Sequence, residues 1–554
     1  MPESRSFDFV IVGGGTAACV LANRLTEEPG IRVLVIEAGS EPTSPWIKMP
    51  LAMGKLFTHP AFNWGFYTEP EACLDDRPIF WPRGKVLGGS SSINGSAYIR
   101  GQAEDYDGWR RLGNVGWGWS DVLPYFEKLE RREDLDGKSA AGGMISITYP
   151  LYVHPIARAF VESCVRAGLP SSDNLNGPKS EGVSLMPYSV RRGERCSAVE
   201  AYLRPARTRP NLVVETSAFA RRILVAGRRA TGVEYERNGS LQKALATREV
   251  ILSAGSIGSP QILMLSGIGP GEHLREHGII VVADVPGVGE NLHDHVYANC
   301  TYRTLPQNSL NRQLGGLRVA WHALTYYLAR RGPLTNGASQ ATALARGLPD
   351  APCPDLQIVF RPMSYVYDRS SRIAPDPIPR VTAGVAYVRP KSRGRLLLKS
   401  ADPRQTPAMR ANYLAEKNDE EGLLAGVKWV RRIFETEPVK SQVLAEDSPG
   451  DACRGDDDLR AFLHRTGTTF CHPSGTCKMG QDAMSVVDER LRVRGVESLR
   501  VIDASIMPAL PSAGPAPAVF MIAEKGADLI KEDRRSGVTS GSVTTAVSAV
   551  SVGS

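Results

Sequence analysis

The stretch FDFVIVGGGTAACVLANRLTEEPGIRVLVIEAG, residues 7–39, decides the fold of the N-terminal part of the chain. It contains an apolar strand, a glycine-rich turn, a helix-like segment and a second strand that ends on Glu37. In such a βαβ unit Gly13 permits the tight turn, Gly15 lets the backbone approach a pyrophosphate at the helix N-terminus, and Ala18 packs the helix. A carboxylate at the position of Glu37 accepts hydrogen bonds from a ribose. The stretch predicts a Rossmann-like dinucleotide site, without separating FAD from NAD.

Length, composition and charge narrow the class of protein. The 554 residues exceed what one hydrophobic core usually serves, so we expect two structural units, and a hydrophobic content of 42% excludes a fibrous or wholly disordered chain. The formal net charge of +7 comes from scattered arginines, as in RRGER, residues 191–195, which are typical of a solvated surface. Nucleic-acid binding is therefore not supported, whereas weak attraction to anionic substrates or membrane surfaces stays open.

The cysteines and the chain ends bear on the compartment. Nine cysteines, odd in number and irregular in spacing, and an opening without a basic and then apolar leader predict a reducing cytoplasm. No apolar run approaches the eighteen residues of a membrane span. Attachment to the membrane periphery stays open. The small, polar tail, residues 536–554, is predicted to be disordered.

Three further blocks follow in the chain. They are GKVLGGSSSINGSAYIRG (84–101), GSIGSPQILMLSGIG (255–269) and LRVIDASIMP (499–508). With the first stretch they resemble, in order, the glucose-methanol-choline (GMC) oxidoreductases, particularly the choline-dehydrogenase-like branch. The resemblance runs from about residue 7 to residue 530. In the second block Ser259 and Pro260 are typical of a helix start.

The resemblance implies an α/β (α+β) fold and FAD as cofactor. A Rossmann-like FAD-binding domain is expected to be interleaved in sequence with a substrate domain built of a sheet plus helices. The FAD-binding domain is predicted to comprise residues 1–160, 205–305 and 465–535, and the substrate-binding domain residues 161–204 and 306–464.

The resemblance also implies which residues meet the cofactor. Residues 84–101 are expected to pass over the flavin ring, with Asn94 and Gly95 against the isoalloxazine. The alternative interpretation of this segment is a flexible surface loop. Asp503 lies by the ribityl-pyrophosphate region. Some members hold FAD covalently through a histidine just before the asparagine, and because Ile93 takes that place here, non-covalent FAD is predicted. The expected FAD-binding residues are Gly13, Gly15, Thr16, Ala17, Glu37, Ala38, Gly89, Ser90, Asn94, Gly95, Ser96, Ala97, Phe219, Asp503 and Ala504.

The stretch FCHPSGTCKMG, residues 470–480, places a histidine between two cysteines. Adjacent Cys471 and His472 rarely chelate one ion together, and no second cluster completes a tetrahedral zinc site. A disulfide between Cys471 and Cys477 is disfavoured in a reducing compartment. The stretch is similar to the family's catalytic segment, in which the histidine faces the flavin on its substrate side.

The implied reaction needs a proton acceptor. Oxidising a CH–OH group of a small-molecule alcohol to a carbonyl sends a hydride to flavin N5 and releases the hydroxyl proton. A neutral imidazole, with a pKa of about 6.5, accepts such a proton, and a positioned base contributes on the order of 10²- to 10⁴-fold. We predict His472 as that catalytic base. Oxygen, a quinone or another carrier reoxidises the flavin, and the sequence does not choose between them or reveal the oligomeric state.

One expected partner is missing. Family members usually carry asparagine or histidine in the loop after the Met-Pro of the last block, and here Ala516 stands there. Losing a preorganised donor costs about 3 kcal/mol. Three explanations compete: Ser512 or a backbone N–H replaces the donor, the substrate brings its own polar group, or the flavin chemistry differs.

The last explanation defines the alternatives. The wider family includes hydroxynitrile lyases and fatty-acid photodecarboxylases, and GGGTAACVLANRL and LLKSADP look like the photodecarboxylase branch. That branch lacks a histidine at the base position and carries a cysteine before LKSADP, whereas this chain has His472 and no such cysteine. A non-catalytic FAD-binding protein is favoured by the Ala516 loop and opposed by His472.

Remaining features are expected to be structural. The segment His293, Asp294 and His295 superficially suggests a metal triad, but the family has a similar segment that caps the flavin domain. His464 is expected on a helix surface. A helix is predicted within residues 315–335 and strands within 355–362 and 383–400. Three tyrosines there either line a pocket or fill the sheet: Tyr365, Tyr367 and Tyr387.

Overall fold

The computed structural model describes residues 5–132, 142–178, 180–367 and 373–537. Apart from Ser536 and Gly537, the tail predicted to be disordered lies outside these residues. Two large sheets contain the strands β1 (Arg5–Val12), β2 (Val33–Ile36), β3 (Gly182–Leu185), β4 (Leu212–Glu215), β5 (Ala218–Ala226), β6 (Arg229–Arg237), β7 (Ser240–Leu252), β8 (Val296–Thr304), β9 (Ala341–Ala345), β10 (Leu356–Arg361), β11 (Arg380–Tyr387), β12 (Val443–Ser448), β13 (Thr468–Thr469) and β14 (Leu499–Val501).

The longer helices pack around these sheets. They are α1 (Thr16–Leu25), α2 (Ala103–Arg111), α3 (Trp119–Leu129), α4 (Pro155–Arg166), α5 (Gly255–Leu265), α6 (Gly316–Ala329), α7 (Lys417–Phe434), α8 (Asp456–Thr466) and α9 (Ala516–Arg535). Of the helices within the described ranges, none is long and apolar enough to cross a bilayer.

Short elements complete the structure. Short helices are Pro45–Lys48, Met53–Phe57, Arg204–Ala206 and Gly271–Glu276, with a π-helix at Val199–Leu203. The 3₁₀ turns are Pro50–Ala52, Ala72–Leu74, Gly89–Ser92, Pro306–Asn308, Asn311–Leu314, Pro333–Thr335, Lys440–Gln442 and Ala504–Ile506. Short strands are Phe66–Tyr67, Phe80–Trp81, Glu130–Arg132, Ile145–Thr148, Tyr188–Arg191, Glu194–Arg195, Ile268–Gly269, Ala283–Asp284, Tyr365–Tyr367, Ile373–Pro375, Arg395–Leu397 and Ala408–Arg410.

The first large sheet has the order β4-β2-β1-β7-β6-β5, with β14 against β7. Strands β4, β2, β1, β7 and β14 run parallel, and β6 and β5 extend the sheet antiparallel. The apolar run Val33–Ile36 is buried at every position, as expected for a parallel strand covered on both faces. The carboxyl ends of the parallel strands meet at one edge, where ligands of such sheets bind.

The second large sheet is antiparallel, in the order β12-β8-β11-β10-β9-β3, with β13 against β8. Helix α7 covers one face closely, because Gly422 leaves room for the Tyr387 ring, which a Cβ there would approach to 2.2 Å. Tyr387 therefore fills the contact between sheet and helix. Gln357, Val359 and Arg361 alternate along β10 towards the opposite face.

The mixed α/β fold predicted from the sequence is confirmed, as are the helix within residues 315–335 and the strands within 355–362 and 383–400. The domain limits stay a prediction. Strand β8, which the limit at residue 305 places in the FAD-binding domain, is hydrogen-bonded in the second sheet.

The predicted start of helix α5 is wrong by four residues, since the helix begins at Gly255 rather than at Ser259 and Pro260. A proline inside a helix lacks the N–H that would bond the carbonyl four residues earlier. That carbonyl, of Ser256, accepts instead from Thr476 Oγ1 at 2.7 Å. A distant side chain thus satisfies the helix and lets it extend past the proline.

Candidate active site

A cavity of about 680 Å³ opens between the two large sheets. Its walls come from the carboxyl ends of β1, β2 and β7, from the segment 82–97, and from strand β10. The segments 469–473, 503–504 and 514–516 close it. All sixteen residues that the sequence predicts for the site line this single cavity, although some lie almost five hundred residues apart in the chain.

One end of the cavity suits a pyrophosphate. Helix α1 begins at Thr16 after Gly15, without a side-chain cap and without an acidic residue in its first turn. Its first N–H groups have no acceptor within the helix and attract anions. Gly13 holds φ at +91°, and a Cβ there would lie 2.6 Å from the Ser253 carbonyl oxygen, so the turn excludes side chains.

Glu37 lies beside this turn, and its carboxylate can still accept hydrogen bonds from a ribose. Its Oε2 accepts from the Gly14 N–H at 2.6 Å and its Oε1 from the Gly39 N–H at 2.7 Å. Each carboxylate oxygen keeps a further lone pair for hydroxyl donors. Burial raises the pKa of the Glu37 carboxyl to about 7, although the bonds from Gly39 and Gly14 oppose that rise. The residues at this end of the cavity therefore fit a dinucleotide such as FAD.

The segment 84–101 forms part of the cavity wall, where hydrogen bonds hold it in place, and is not a flexible surface loop. Arg195 Nη1 donates to Asn94 Oδ1 at 2.8 Å and to Ser96 Oγ at 2.8 Å, which fixes the turn where Ser96 holds φ at +58°. Ile93 is buried in an apolar cluster and offers no nucleophile. Arg195 corrects the sequence interpretation, because this arginine of RRGER is buried and not solvated. Its burial lowers its pKa to about 9.

Asp503 lines the cavity, but its carboxylate is occupied by the protein. Oδ1 accepts from the Ser505 N–H and hydroxyl at 2.8 and 2.6 Å. Oδ2 accepts from the Gly255 N–H at 2.8 Å and the Ser259 hydroxyl at 2.6 Å. These four bonds use the lone-pair sites of the carboxylate. Asp503 therefore holds the start of α5 in place beside the cofactor end.

The cavity wall beside Phe219 contains residues that the sequence analysis did not identify. The Trp64 and Phe219 ring centroids lie 6.4 Å apart, and the Arg404 guanidinium lies 5.4 Å from the Phe219 centroid. Both Trp64 and Arg404 line the cavity. No local sequence motif marks Trp64 or Arg404, because each is a single residue in a segment whose sequence pattern is that of a loop or a strand.

His472 projects into the opposite end of the cavity from a fixed backbone. The backbone N–H of His472 donates to Asp294 Oδ1 at 2.7 Å. The other oxygen of Asp294 accepts from the hydroxyls of Thr469 and Tyr413. Cys471, the preceding residue, holds φ at +68°. The buried carboxylate of Asp294 thus ties the segment 469–472 to its own segment and to that of Tyr413.

The imidazole of His472 is neutral at pH 7. Burial lowers its pKa well below 6.5, and His295 and Arg83 lower it further. Its Nδ1 lies 3.0 Å from Nδ1 of His295, whose pKa burial lowers to about 3. The segment predicted to cap the flavin domain, His293 to His295, therefore contacts His472 directly.

The remaining assignments concern a metal site, the cysteines, His464 and two tyrosines. Within the described ranges no group of three or more His, Cys, Asp and Glu side chains is arranged to hold a metal ion. All nine cysteines lie within those ranges and none forms a disulfide, and burial raises the pKa of the Cys471 thiol to about 11. His464 lies at the surface of α8, where its Nε2 is 2.6 Å from Glu420. Tyr365 lines the cavity, whereas the side chain of Tyr367 lies outside the described part.

Ser512 does not replace the missing donor. Its hydroxyl donates to Asp105 Oδ2 at 2.7 Å and accepts from Gln102 Nε2 at 2.8 Å, and the side chain is fully buried away from the cavity. Ala516 opens helix α9 at the cavity wall, and the first N–H groups of a helix lack intrahelical acceptors. A Cβ at Gly514 would lie 3.1 Å from His472 Nε2, so this loop faces the imidazole.

Two family patterns, both for GMC oxidoreductase, match residues 7–297 and 390–523. The chain is similar to "Alcohol dehydrogenase [acceptor]" of Pseudomonas putida, with 38% identity over 95% of both chains. It is similar to the oxygen-dependent choline dehydrogenase of Rhizobium etli (strain CIAT 652), with 40% identity over 94% of this chain and 95% of the relative.

Two solved structures share the fold over nearly the whole length. Pyridoxine 4-oxidase from Mesorbium loti superposes with a TM-score of 0.85 at 30% identity, covering 95% of this chain and 99% of that one. A single-residue variant of the formate oxidase of Aspergillus oryzae RIB40, solved to study FAD modification, gives a TM-score of 0.90 at 28% identity, covering 97% and 100%. By the two family patterns and by identity along the whole chain, this protein belongs to the GMC oxidoreductase family.

Proposed function

We propose that this chain is an FAD-dependent oxidoreductase that oxidises the CH–OH group of a small-molecule alcohol to a carbonyl, with His472 as the base. The observation that carries the proposal is the neutral imidazole of His472, which shares one cavity with the pyrophosphate and ribose sites. The relatives reported above, which include an alcohol dehydrogenase, a choline dehydrogenase and a pyridoxine oxidase, support the reaction class.

The cofactor end is prepared by the protein. Backbone N–H groups of the first turn of α1 would hold the pyrophosphate, and Glu37 would accept from the adenosine ribose. Arg195 holds the wall at Asn94 and Ser96 rigid. Bound FAD supplies acceptance of a hydride at N5. Because Ile93 offers no nucleophile at the position of covalent attachment, the cofactor is held non-covalently.

The proton is handled by the chain itself. His472 accepts the hydroxyl proton at Nε2, while its Nδ1 hydrogen is donated to His295. Asp294 fixes the backbone of His472, so the imidazole needs no reorganisation when the proton arrives. Gly514 leaves the space beside Nε2 that a substrate hydroxyl needs.

The donor that Ala516 lacks is supplied by the backbone. Ala516 lies in the cavity wall at the start of α9, where the N–H groups of Ala516 and Ala518 have no acceptor within the helix, while Pro517 carries no N–H. A helix N-terminus stabilises negative charge, as the missing asparagine or histidine would. The loop can therefore assist the reaction without a polar side chain at position 516.

Oxygen, a quinone or another carrier takes the electrons from the reduced cofactor. We expect a reducing, cytoplasmic compartment, in agreement with nine cysteines of which none forms a disulfide in the part of the chain that the structure describes. The alternative chemistries of the wider family, lyase and photodecarboxylase, draw no support from the relatives reported above, and the retained His472 opposes a non-catalytic role.

Anaerobic stopped-flow mixing of the purified holoenzyme with a panel of alcohols tests the proposal through the loss of flavin absorbance. His472→Ala should keep its FAD and lose 10²- to 10⁴-fold in the rate constant of flavin reduction. His464→Ala, at the surface of α8, is the matched control and should reduce at the wild-type rate. Equal reduction by His472→Ala and wild type would remove the proposed base.

A further inference from the structure

Arg361, the last residue of β10, lies in the cavity wall with a buried side chain. Its Nη2 donates to the Tyr297 hydroxyl at 2.7 Å and to Asn299 Oδ1. Its guanidinium carbon lies 5.3 Å from the centroid of the Tyr365 ring. Nε has no hydrogen-bond partner, and no carboxylate lies within ion-pair distance, among the residues that the structure describes.

Such a cation lacks the partner that burial demands. An arginine is charged at every physiological pH, and an isolated buried charge is costly unless an anion and hydrogen bonds compensate it. Tyr297 and Asn299 are neutral. Burial raises the pKa of the Tyr297 hydroxyl, so the hydroxyl keeps its hydrogen and can donate it to an incoming anion. The planar fork of a guanidinium matches carboxylates and phosphates.

The position of Arg361 relates this cation to the base. The Tyr297 ring stacks on Phe470, with centroids 4.6 Å apart and planes at 7°. The Phe470 centroid lies 4.7 Å from that of His472. Arg361, Tyr297, Phe470 and His472 thus line one continuous wall, with an anion-binding group at one end and the base at the other.

We propose that the substrate is an anionic alcohol, in which a carboxylate or phosphate binds Arg361 while the hydroxyl reaches His472. This inference rests on the proposed function. A cationic alcohol such as choline would bring like charge to the buried guanidinium and should be a poor substrate.

Matched substrates separate charge from shape. Anaerobic flavin reduction is measured with 4-(hydroxymethyl)benzoate, its neutral methyl ester, 4-(hydroxymethyl)phenyl phosphate and choline. We expect kcat/KM for at least one anion to exceed that for the ester by about 10-fold or more, and choline to be slowest. The carboxylate and phosphate arms tell which anion the site takes.

Variants then assign the preference to Arg361. Arg361→Gln should lower the ratio of kcat/KM for the anion to that for the ester by about 10²-fold, mainly through KM, and Arg361→Lys should restore part of it. Arg303→Gln, the same exchange at an exposed position of β8, should leave the ratio unchanged. FAD content of each variant checks its folding.

A binding measurement without turnover completes the test. Benzoate titrated into the His472→Ala holoenzyme should shift the flavin spectrum, and Arg361→Gln on that background should weaken the apparent affinity about 10-fold or more. If esters reduce the flavin through His472 and the anions show no advantage, the substrate inference is overturned and the proposed function stands. If no alcohol of any charge reduces the flavin, both are overturned.

A second inference comes from helix α6, which presents an apolar stripe to solvent. Leu317, Trp321, Leu324 and Leu328 follow the four-three-four spacing of one helix face and are 92%, 63%, 48% and 78% exposed. Tyr326, on the opposite face, is buried against Met49, Ala52 and Leu334. The helix is therefore anchored by one face and leaves the other uncovered.

The surroundings of this stripe are cationic. Residues 295–349 contain no Asp or Glu; Arg318 is exposed on the helix itself, and Arg312 and Arg331 are exposed just before and after it. Arg330 is paired with Glu194. Leucine and tryptophan on one face with arginines at its border are typical of helices that lie in the interface of an anionic bilayer.

We infer that α6 docks the enzyme on an anionic lipid surface. The full-length holoenzyme is sedimented with phosphatidylglycerol vesicles and with phosphatidylcholine vesicles. We expect preferential binding to the anionic vesicles and a loss of about fivefold in partitioning for each of Arg318→Gln and Arg331→Gln.

The double variant L317E/L328E should lose binding altogether, whereas Ile280→Glu, the same exchange at a position 85% exposed elsewhere, should not. Equal sedimentation of L317E/L328E and wild type overturns the inference. The inference is also overturned if the wild-type protein does not bind vesicles but self-associates, and if L317E/L328E abolishes that self-association. A second copy of the chain would then cover the stripe.

Discussion

The Nδ1 atoms of His295 and His472 lie 3.0 Å apart, so one ring donates a hydrogen to the other. Burial keeps both rings neutral at pH 7, and each therefore carries one hydrogen. If His472 donates from Nδ1, its Nε2 keeps a lone pair towards Gly514 and the cavity. The reverse arrangement places the hydrogen on Nε2 and leaves no base. The proposed reaction requires the first arrangement, in which His295 positions the hydrogen of His472.

Replacing His295 should slow flavin reduction without releasing FAD. His295→Leu removes the acceptor for Nδ1 of His472 and frees the imidazole to take the inactive tautomer, and we expect a loss of about 10- to 100-fold. His295→Asn offers an amide oxygen and should recover part of the rate. Stopped-flow reduction of both variants measures the effect. Equal rates for the two would mean that His295 serves packing alone.

The pH dependence of reduction should differ from that of an ordinary histidine base. The pKa of His472 is lowered, so its neutral form persists below pH 6.5, and protonation disables it only in more acid solution. The charged or titratable groups around it are His295 and Arg83, which lower the pKa of the imidazole, and Asp294, which accepts from the backbone N–H of His472. The rate constant should therefore stay level from pH 9 to below pH 6.5 and fall only in more acid solution. An inflection above pH 7 would contradict the lowered pKa.

FAD affinity should weaken as the pH falls below neutrality. Ribose hydroxyls donate to the ionised form of Glu37, whose pKa in the free protein is about 7, so binding in acid releases a proton. The dissociation constant should therefore rise by up to about tenfold per pH unit below 7 and be level above it. Quenching of tryptophan fluorescence in the apoprotein measures the affinity. Glu37→Gln should flatten the curve, and an unchanged slope would exclude Glu37 as its source.

A methyl group at position 13 should abolish FAD binding. Gly13→Ala places a Cβ 2.6 Å from the Ser253 carbonyl oxygen at a φ of +91°, and both the turn and β7 would have to move. Gly30→Ala is the control, because a Cβ there meets nothing within 4 Å. The ratio of flavin to protein absorbance after purification reads out both. A yellow Gly13→Ala protein with full FAD content would refute the role of the turn.

Crowding the imidazole should slow reduction while FAD remains bound. Gly514→Ala puts a methyl group 3.1 Å from His472 Nε2, where the substrate hydroxyl must approach, and we expect a loss of about 10-fold or more in the rate constant. Gly108→Ala in α2, where the nearest atom is the far end of Arg111 at 3.8 Å, should have no effect. Wild-type reduction by Gly514→Ala would place the hydroxyl elsewhere.

The parts of the site that depend on local sequence were predictable. The turn at Gly13 and Gly15, the carboxylate at the end of β2 and the histidine of FCHPSGTCKMG each combine a short motif with a recognisable strand or helix. Their residues line one cavity in the structure. The absence of a polar side chain at Ala516 was equally predictable, because it follows from the residue types in one short stretch of the chain.

The partners of these motifs were decided by tertiary structure. His295 and Asp294 lie almost 180 residues before His472, and Arg195 lies about 100 residues after Asn94. Arg195 and Arg361 look like surface charges in sequence, yet both are buried. A residue's type fixes its charge and hydrogen-bonding capacity, but its burial and its partner depend on sheet pairing between distant segments, which changes the energy of the same charge by several kcal/mol.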